Sequence, residues 1–155
     1  MGRLALVTGA TGFIGGHLVD QLISNGWRVR AFVRSTSDVR RLETTGVELC
    51  RGDLADAHSV GRAVAGVDTV FHLAALTAAR TEREYWQANA ATTEVVARAA
   101  RTAAPSVRRL VYLSSYAAAG PATIDSPRGL HDEPAPLTAY GRTKLEGEKL
   151  AREAE

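Results

Sequence analysis

Three glycines spaced three residues apart, Gly9, Gly12 and Gly15, constrain this chain most, because they join an apolar run to an amphipathic one. Leu4-Ala5-Leu6-Val7 reads as a buried strand, residues 13–25 read as a helix, and Gly26 follows where a C-terminal glycine belongs. Between them lies Thr8-Gly9-Ala10-Thr11-Gly12-Phe13-Ile14-Gly15. Gly9 permits a tight turn, Gly12 lets a ligand reach bare backbone, and Gly15 lets the helix lie close on the strand. Free N–H groups and the helix dipole at such a point favour phosphate. Strand, turn and helix in this order predict a dinucleotide seat, with Gly9, Thr11, Gly12, Phe13, Ile14 and Gly15 around the pyrophosphate.

Strand-length apolar runs alternate with longer amphipathic stretches along the rest of the chain. Strands are predicted over 3–8, 28–33, 47–51, 68–73 and 108–113. Helices are predicted near 38–44, 56–64 and 83–103, and a last one from Thr138 is still running at Glu155. An irregular stretch over 114–137 holds most of the prolines. The alternation predicts an α/β fold, a Rossmann-type doubly wound parallel sheet of about five strands, in one dinucleotide-binding domain over residues 1–155.

Composition narrows the partners. At 45% hydrophobic and 23% charged residues, the chain has an ordinary globular make-up. A net charge of +2 carries no basic cluster interleaved with aromatics, so no nucleic-acid partner is expected. No apolar run approaches the roughly 18 residues of a membrane span. The N-terminus runs straight into a strand pattern without a signal-peptide core, which predicts a cytoplasmic protein. Cys50 stands alone, excludes an internal disulfide, and reads as a small buried side chain at the end of a strand. No metal is expected.

At the end of the second strand an acidic residue would bind the adenosine ribose and select NAD. Ala31-Phe32-Val33-Arg34-Ser35-Thr36-Ser37 offers none there. Arg34 has the guanidinium fork that grips a 2′-phosphate, and Ser35 and Ser37 add hydroxyls, so NADP is the expected cofactor, with NAD open. Asp38 complicates the choice.

The last helix carries Tyr140-Gly141-Arg142-Thr143-Lys144, whose first and last residues share a helical face. Bringing a free phenol to neutral pH takes roughly 4 kcal/mol. A lysine charge about 5–6 Å away, at an effective dielectric near 20, supplies roughly 3 of those. Such a pair suits general acid/base work. Ser115 follows the fifth strand, so all three groups fall at the C-terminal end of the sheet, where open α/β folds bind ligands.

The turn, Ser115 and Tyr-x-x-x-Lys together resemble the short-chain dehydrogenase/reductase superfamily, over the chain from Arg3 onward. The run from Thr8 to Gly15 is similar to that of its extended branch, the epimerase/dehydratase and 3β-hydroxysteroid dehydrogenase-like proteins. The resemblance implies a catalytic triad of Ser115, Tyr140 and Lys144. Tyr140 would exchange a proton with the substrate oxygen, Lys144 would assist it and hold the nicotinamide ribose, and Ser115 would steady the developing charge. It implies that Asp53 and Leu54 flank the adenine, and that Leu73, Ala74 and Ala75 run beside the adenosine ribose and phosphates. His72 there is expected to pack. Ser114 would be a backbone neighbour of the cofactor, and Asn89 would tie structure beneath the active site.

The resemblance departs at Ala119. Many sugar epimerases of this branch have a tyrosine at that place before glycine, so the run to Gly120-Pro121 favours carbonyl reduction or alcohol oxidation. A sugar-nucleotide epimerase or dehydratase that recycles bound NAD is the alternative. A non-catalytic dinucleotide-sensing module is a further one, although such regulators usually lack the Tyr-x-x-x-Lys pair. Full members have two further strands and a substrate lobe. The domain is therefore expected to be incomplete, with the fifth strand an exposed edge and catalysis by this chain weak. Relatives suggest a homodimer through the helices after the fourth and fifth strands.

Overall fold

Alternate residues of the first strand enter two separate cores. The computed structural model describes residues 2–103 and 105–153. In it β1, Leu4–Thr8, is buried along its whole length. Leu4 and Leu6 join Phe32, Val60, Val64, Val70 and Val96 on one face, while Ala5 and Val7 join Val19, Leu22, Val29 and Val33 on the other. A strand buried on both sides needs helices over both faces, as in a parallel sheet.

The sheet completes that requirement. With β2 (Arg28–Val33), β3 (Glu48–Arg51), β4 (Thr69–His72) and β5 (Arg109–Tyr112), the strand order is β3-β2-β1-β4-β5. All pairings are parallel, with Val7 opposite both Ala31 and Phe71, and Phe71 opposite Val111. The order reverses direction between β1 and β4, which opens a crevice at the C-terminal ends of the strands. This is a Rossmann-type fold.

Local signals set the helix starts. Asp56 caps α3 (Ala57–Val64) by accepting from His58 and Ser59 N–H, and Thr138 caps α7 (Ala139–Arg152) by accepting from Gly141 N–H. α1 spans Phe13–Ser24. The helix expected over 38–44 shrinks to α2, Arg40–Glu43, because the Asp38 carboxylate holds the Arg40 N–H and guanidinium. α7 closes at Arg152 with Glu153 as its C-cap, where a helix running on was expected. Residues 154 and 155 lie outside the described ones.

Two expectations change further. The long helix over 83–103 is α4 (Glu82–Tyr85), a π-helical segment (Trp86–Ala91) and α5 (Thr92–Thr102) in series. Thr92 and Thr93 return hydrogen bonds to the carbonyls four residues back, and Asn89 is drawn sideways to Leu76. Such back-bonding and side-chain pull distort a helix. The stretch over 114–137 contains α6, Tyr116–Ala119, capped by Ser115. Cys50 is half-buried, not buried, because β3 is an edge strand; it still packs on the first core.

Candidate functional site

The glycine turn leaves β1 at the reversal point of the sheet. Gly9 has φ +74°, and a Cβ there would lie 2.8 Å from Ala74 N. A Cβ on Gly15 would overlap the Gly9 carbonyl, so strand and helix touch backbone to backbone. Gly12 N–H donates to Gly9 O at 3.0 Å and closes the turn. Gly12 is also the N-cap of α1, where no side chain caps and no acidic residue enters the first turn. The positive end of α1 is therefore uncompensated, with Thr11, Phe13 and Ile14 exposed beside it. A pyrophosphate fits this cradle: bare backbone, open N–H groups and no competing carboxylate.

The flanks of the turn lie where the sequence predicted them. Arg34, after β2, is exposed, and among the described residues its guanidinium enters no hydrogen bond or ion pair. Asp38 is engaged by Arg40 at 2.5 Å, which holds its carboxyl at about 2. Asp53 accepts from Ala55 N–H at 2.9 Å, and Leu54 packs on the core. The N–H groups of Leu73 and Ala74 both donate to Thr8 Oγ1 at 3.2 Å, and Ala75 is exposed.

Across the crevice, Lys144 is buried with 2% exposure. Its ammonium donates to Leu113 O at 2.7 Å and stands 4.2 Å above the Tyr112 ring. Burial lowers its pKa to about 8, with nearby Glu148 opposing the shift. Burial also raises the Tyr112 phenol to about 12; its hydroxyl lies against Gly147 and, among the described residues, has no hydrogen-bond partner. Ser115 accepts from Ala117 N–H at 3.2 Å, and α6 meets α7 where Gly141 leaves room for the Ala117 carbonyl. Tyr140 is half-buried, its ring 6.1 Å from that of Tyr85. Among the described residues no hydrogen bond joins Ser115, Tyr140 and Lys144 to one another. The fold brings their backbone positions to one end of the sheet and leaves their polar atoms unpaired with each other.

Ser114 turns its hydroxyl to Glu148 Oε1 at 2.5 Å, along an open cleft of about 600 Å³ that Arg152 also lines. The glycine turn is not part of that cleft. Asn89 is 1% exposed; it accepts from Leu76 N–H at 2.7 Å and donates to Leu76 O and Thr143 Oγ1. Sequence reasoning did not single out Thr8, Thr93, Thr143 or Glu148. A polar residue at the inner end of an apolar strand, as at Thr8, was the available signal.

Comparison with known proteins agrees with this geometry. A model of the NAD dependent epimerase/dehydratase family matches residues 5–155. The chain is 39% identical to sterol demethylase protein B of Methylococcus capsulatus, over 92% of this chain and 44% of that protein. It is 34% identical to 4-hydroxy-2-methyl-3-oxo-4-farnesyl-3,4-dihydroquinoline-1-oxide ketoreductase of Stigmatella aurantiaca, over 96% of this chain and 45% of that protein. The structure of MoeE5 in complex with UDP-glucose and NAD superposes with a TM-score of 0.82 at 38% identity, covering 99% of this chain and 49% of that one. The chain thus spans less than half the length of these relatives.

Proposed function

Given that the chain belongs to the NAD dependent epimerase/dehydratase family, we propose that it moves a hydride between a nicotinamide dinucleotide, NADP by preference, and a carbonyl or alcohol substrate. The observation that carries this reading is a bare-backbone phosphate cradle at the end of β1, in a sheet whose β5 end seats the buried Lys144 against Leu113 O. The bound nicotinamide would supply the hydride donor or acceptor. The chain supplies the rest. Gly9, Thr11, Gly12, Phe13, Ile14 and Gly15 hold the pyrophosphate, Asp53, Leu54, Leu73, Ala74 and Ala75 the adenosine side, and Arg34 a 2′-phosphate.

At the reacting end Tyr140 exchanges a proton with the substrate oxygen. Lys144 spends one N–H on Leu113 O, which leaves two for the nicotinamide ribose and the phenol. Ser115 accepts from Ala117 N–H, so its own hydroxyl proton is free to donate to the substrate oxygen. Ala119, where many sugar epimerases of this branch carry tyrosine, supports a reductase. The ketoreductase relative points the same way. The UDP-glucose and NAD bound by MoeE5 support epimerisation as the second reading.

Tyr140→Phe tests the proposal. Turnover of aldehydes and ketones, followed as NADPH oxidation, should fall by about 100-fold or more while NADPH affinity holds. Unchanged turnover would remove Tyr140 from the chemistry. Turnover of UDP-sugars without NADPH consumption would favour the second reading. The same proposal includes a cytoplasmic location and a homodimer through α5 and α7, the helices after β4 and β5; a monomer in sedimentation would remove the dimer.

A further inference from the structure

His72 ends β4 with no exposed surface worth the name, 1% of its area, yet both ring nitrogens are bonded. The direction of each bond follows from counting protons. Thr8 Oγ1 already accepts from the N–H groups of Leu73 and Ala74, so its single proton goes to His72 Nδ1 at 2.7 Å. Thr93 donates its proton to Asn89 O at 2.5 Å, so His72 Nε2–H must donate to Thr93 Oγ1 at 3.1 Å. Only a neutral ring protonated on Nε2 satisfies both sides.

The chain of bonds does not stop at Asn89. Its side-chain amide donates to Thr143 Oγ1 at 3.2 Å, and Thr143 donates to the carbonyl of Tyr140 at 2.8 Å. One end of this path is the residue before Gly9, and the other is the backbone of Tyr140.

We propose that His72 is a positioning residue, which, through Thr8 and Thr93, couples the dinucleotide turn to the backbone beneath Tyr140. The role rests on the proposed dinucleotide function. A merely space-filling imidazole would leave the two ends independent. A coupled path makes a disturbance at Thr143 felt by the nucleotide, and only while His72 bridges.

The test is a mutant cycle on the full chain, read as NADPH affinity by fluorescence titration. Thr8→Val and Thr143→Val remove the two end hydroxyls at nearly constant shape, and among the described residues the two share no hydrogen bond with each other. Independent effects multiply. The coupled path predicts that the double variant departs from the product by threefold or more, and that the departure vanishes when both are placed in a His72→Leu background. Should His72→Leu fail to fold, His72→Asn replaces it, since a side-chain oxygen can still accept from Thr8 while the reach to Thr93 is lost. Effects that multiply with His72 present overturn the proposal, and so does a departure that persists without it. Absence of any affinity for NADPH and NADH in the unaltered chain overturns the dinucleotide reading instead, and the proposal with it.

Discussion

The two banks of the crevice are built differently. On the β1 side the proposed recognition surface is backbone: the strand is wholly buried, the turn is glycine, and the first turn of α1 carries no side-chain cap. On the β5 side it is side chains standing on a less covered support. β5 has only four residues, alternately half-buried and exposed, and Tyr116 and Leu130, which line the cleft beside Leu113, are almost fully exposed. A backbone seat is fixed by local sterics and needs nothing further from the fold. A side-chain site depends on what packs behind it, and here three expected catalytic groups share a location without sharing a hydrogen bond.

The largest effect that would break this contrast comes from two glycines in equivalent predicaments. A methyl on Gly15 would overlap the Gly9 carbonyl, and one on Gly141 would overlap the Ala117 carbonyl. Either substitution to alanine should cost about 3 kcal/mol, because the obstacle is backbone and yields poorly. Their functional signatures should diverge. Gly15→Ala should abolish measurable NADPH binding, whereas Gly141→Ala should keep affinity within about tenfold, or 1.4 kcal/mol, and lose turnover as α6 shifts Ser115. Denaturant melts with NADPH titration of both variants check this. Equal losses of affinity would mean that the two banks are one site energetically.

A smaller effect separates the banks by pH. Burial, with a lesser push from the Lys144 charge, lowers His72 to about 3 from 6.5. The folded ring stays neutral while the unfolded one protonates, so stability is intact above pH 6.5, declines as pH falls, and levels off near pH 3. At pH 5 the loss is about 2 kcal/mol, from about 1.36 kcal/mol per unit. Asp38 and Asp56 also titrate low, but from a starting value of 3.8, so the interval between pH 4 and 6.5 belongs to His72. Lys144 acts in the opposite range: its folded pKa of about 8 lies below 10.5, so its burial penalty persists below pH 8 and is relieved as pH rises through that interval. Urea unfolding of the unaltered chain and of His72→Leu, from pH 4 to 10, should flatten only the acid limb. An unchanged acid limb would contradict the buried neutral ring.

What the sequence disclosed follows the same division. The glycine turn, the helix starts at Asp56 and Thr138 and the glycine that follows α1, Gly26, were legible because each depends on neighbours a few residues away. The π-helical segment was not. It arises where Asn89 clasps Leu76, 13 residues earlier, and no periodicity encodes that. Thr8 and His72 are 64 residues apart, and Ser114 and Glu148 are 34 apart. His72 was read as packing, which its burial matches. Its two hydrogen bonds depend on strand order, not on the residues beside it. The half-buried state of Cys50 likewise required knowing that β3 lies at the sheet's edge.

The smallest expected effect concerns only the backbone bank. Arg34 projects into solvent without a partner among the described residues, while the carboxylate of Asp38 is held by Arg40. An unpaired guanidinium at the end of β2 gains most from a doubly charged phosphate and little from a ribose hydroxyl. Replacing Arg34 by alanine should therefore weaken NADPH by about tenfold, or 1.4 kcal/mol, and leave NADH within about twofold, with no change in the melt, because the side chain supports nothing else. Parallel fluorescence titrations with the two nucleotides measure the ratio directly. Equal weakening of both would place Arg34 against the pyrophosphate, and no weakening of either would return the preference to NAD. Screening gives an independent check: the difference between the two nucleotides should narrow as salt rises, since an exposed ion pair fades over a Debye length of about 8 Å at physiological ionic strength. If the glycine turn holds the pyrophosphate through short N–H contacts, as proposed, NADH affinity should be far less sensitive to the same salt.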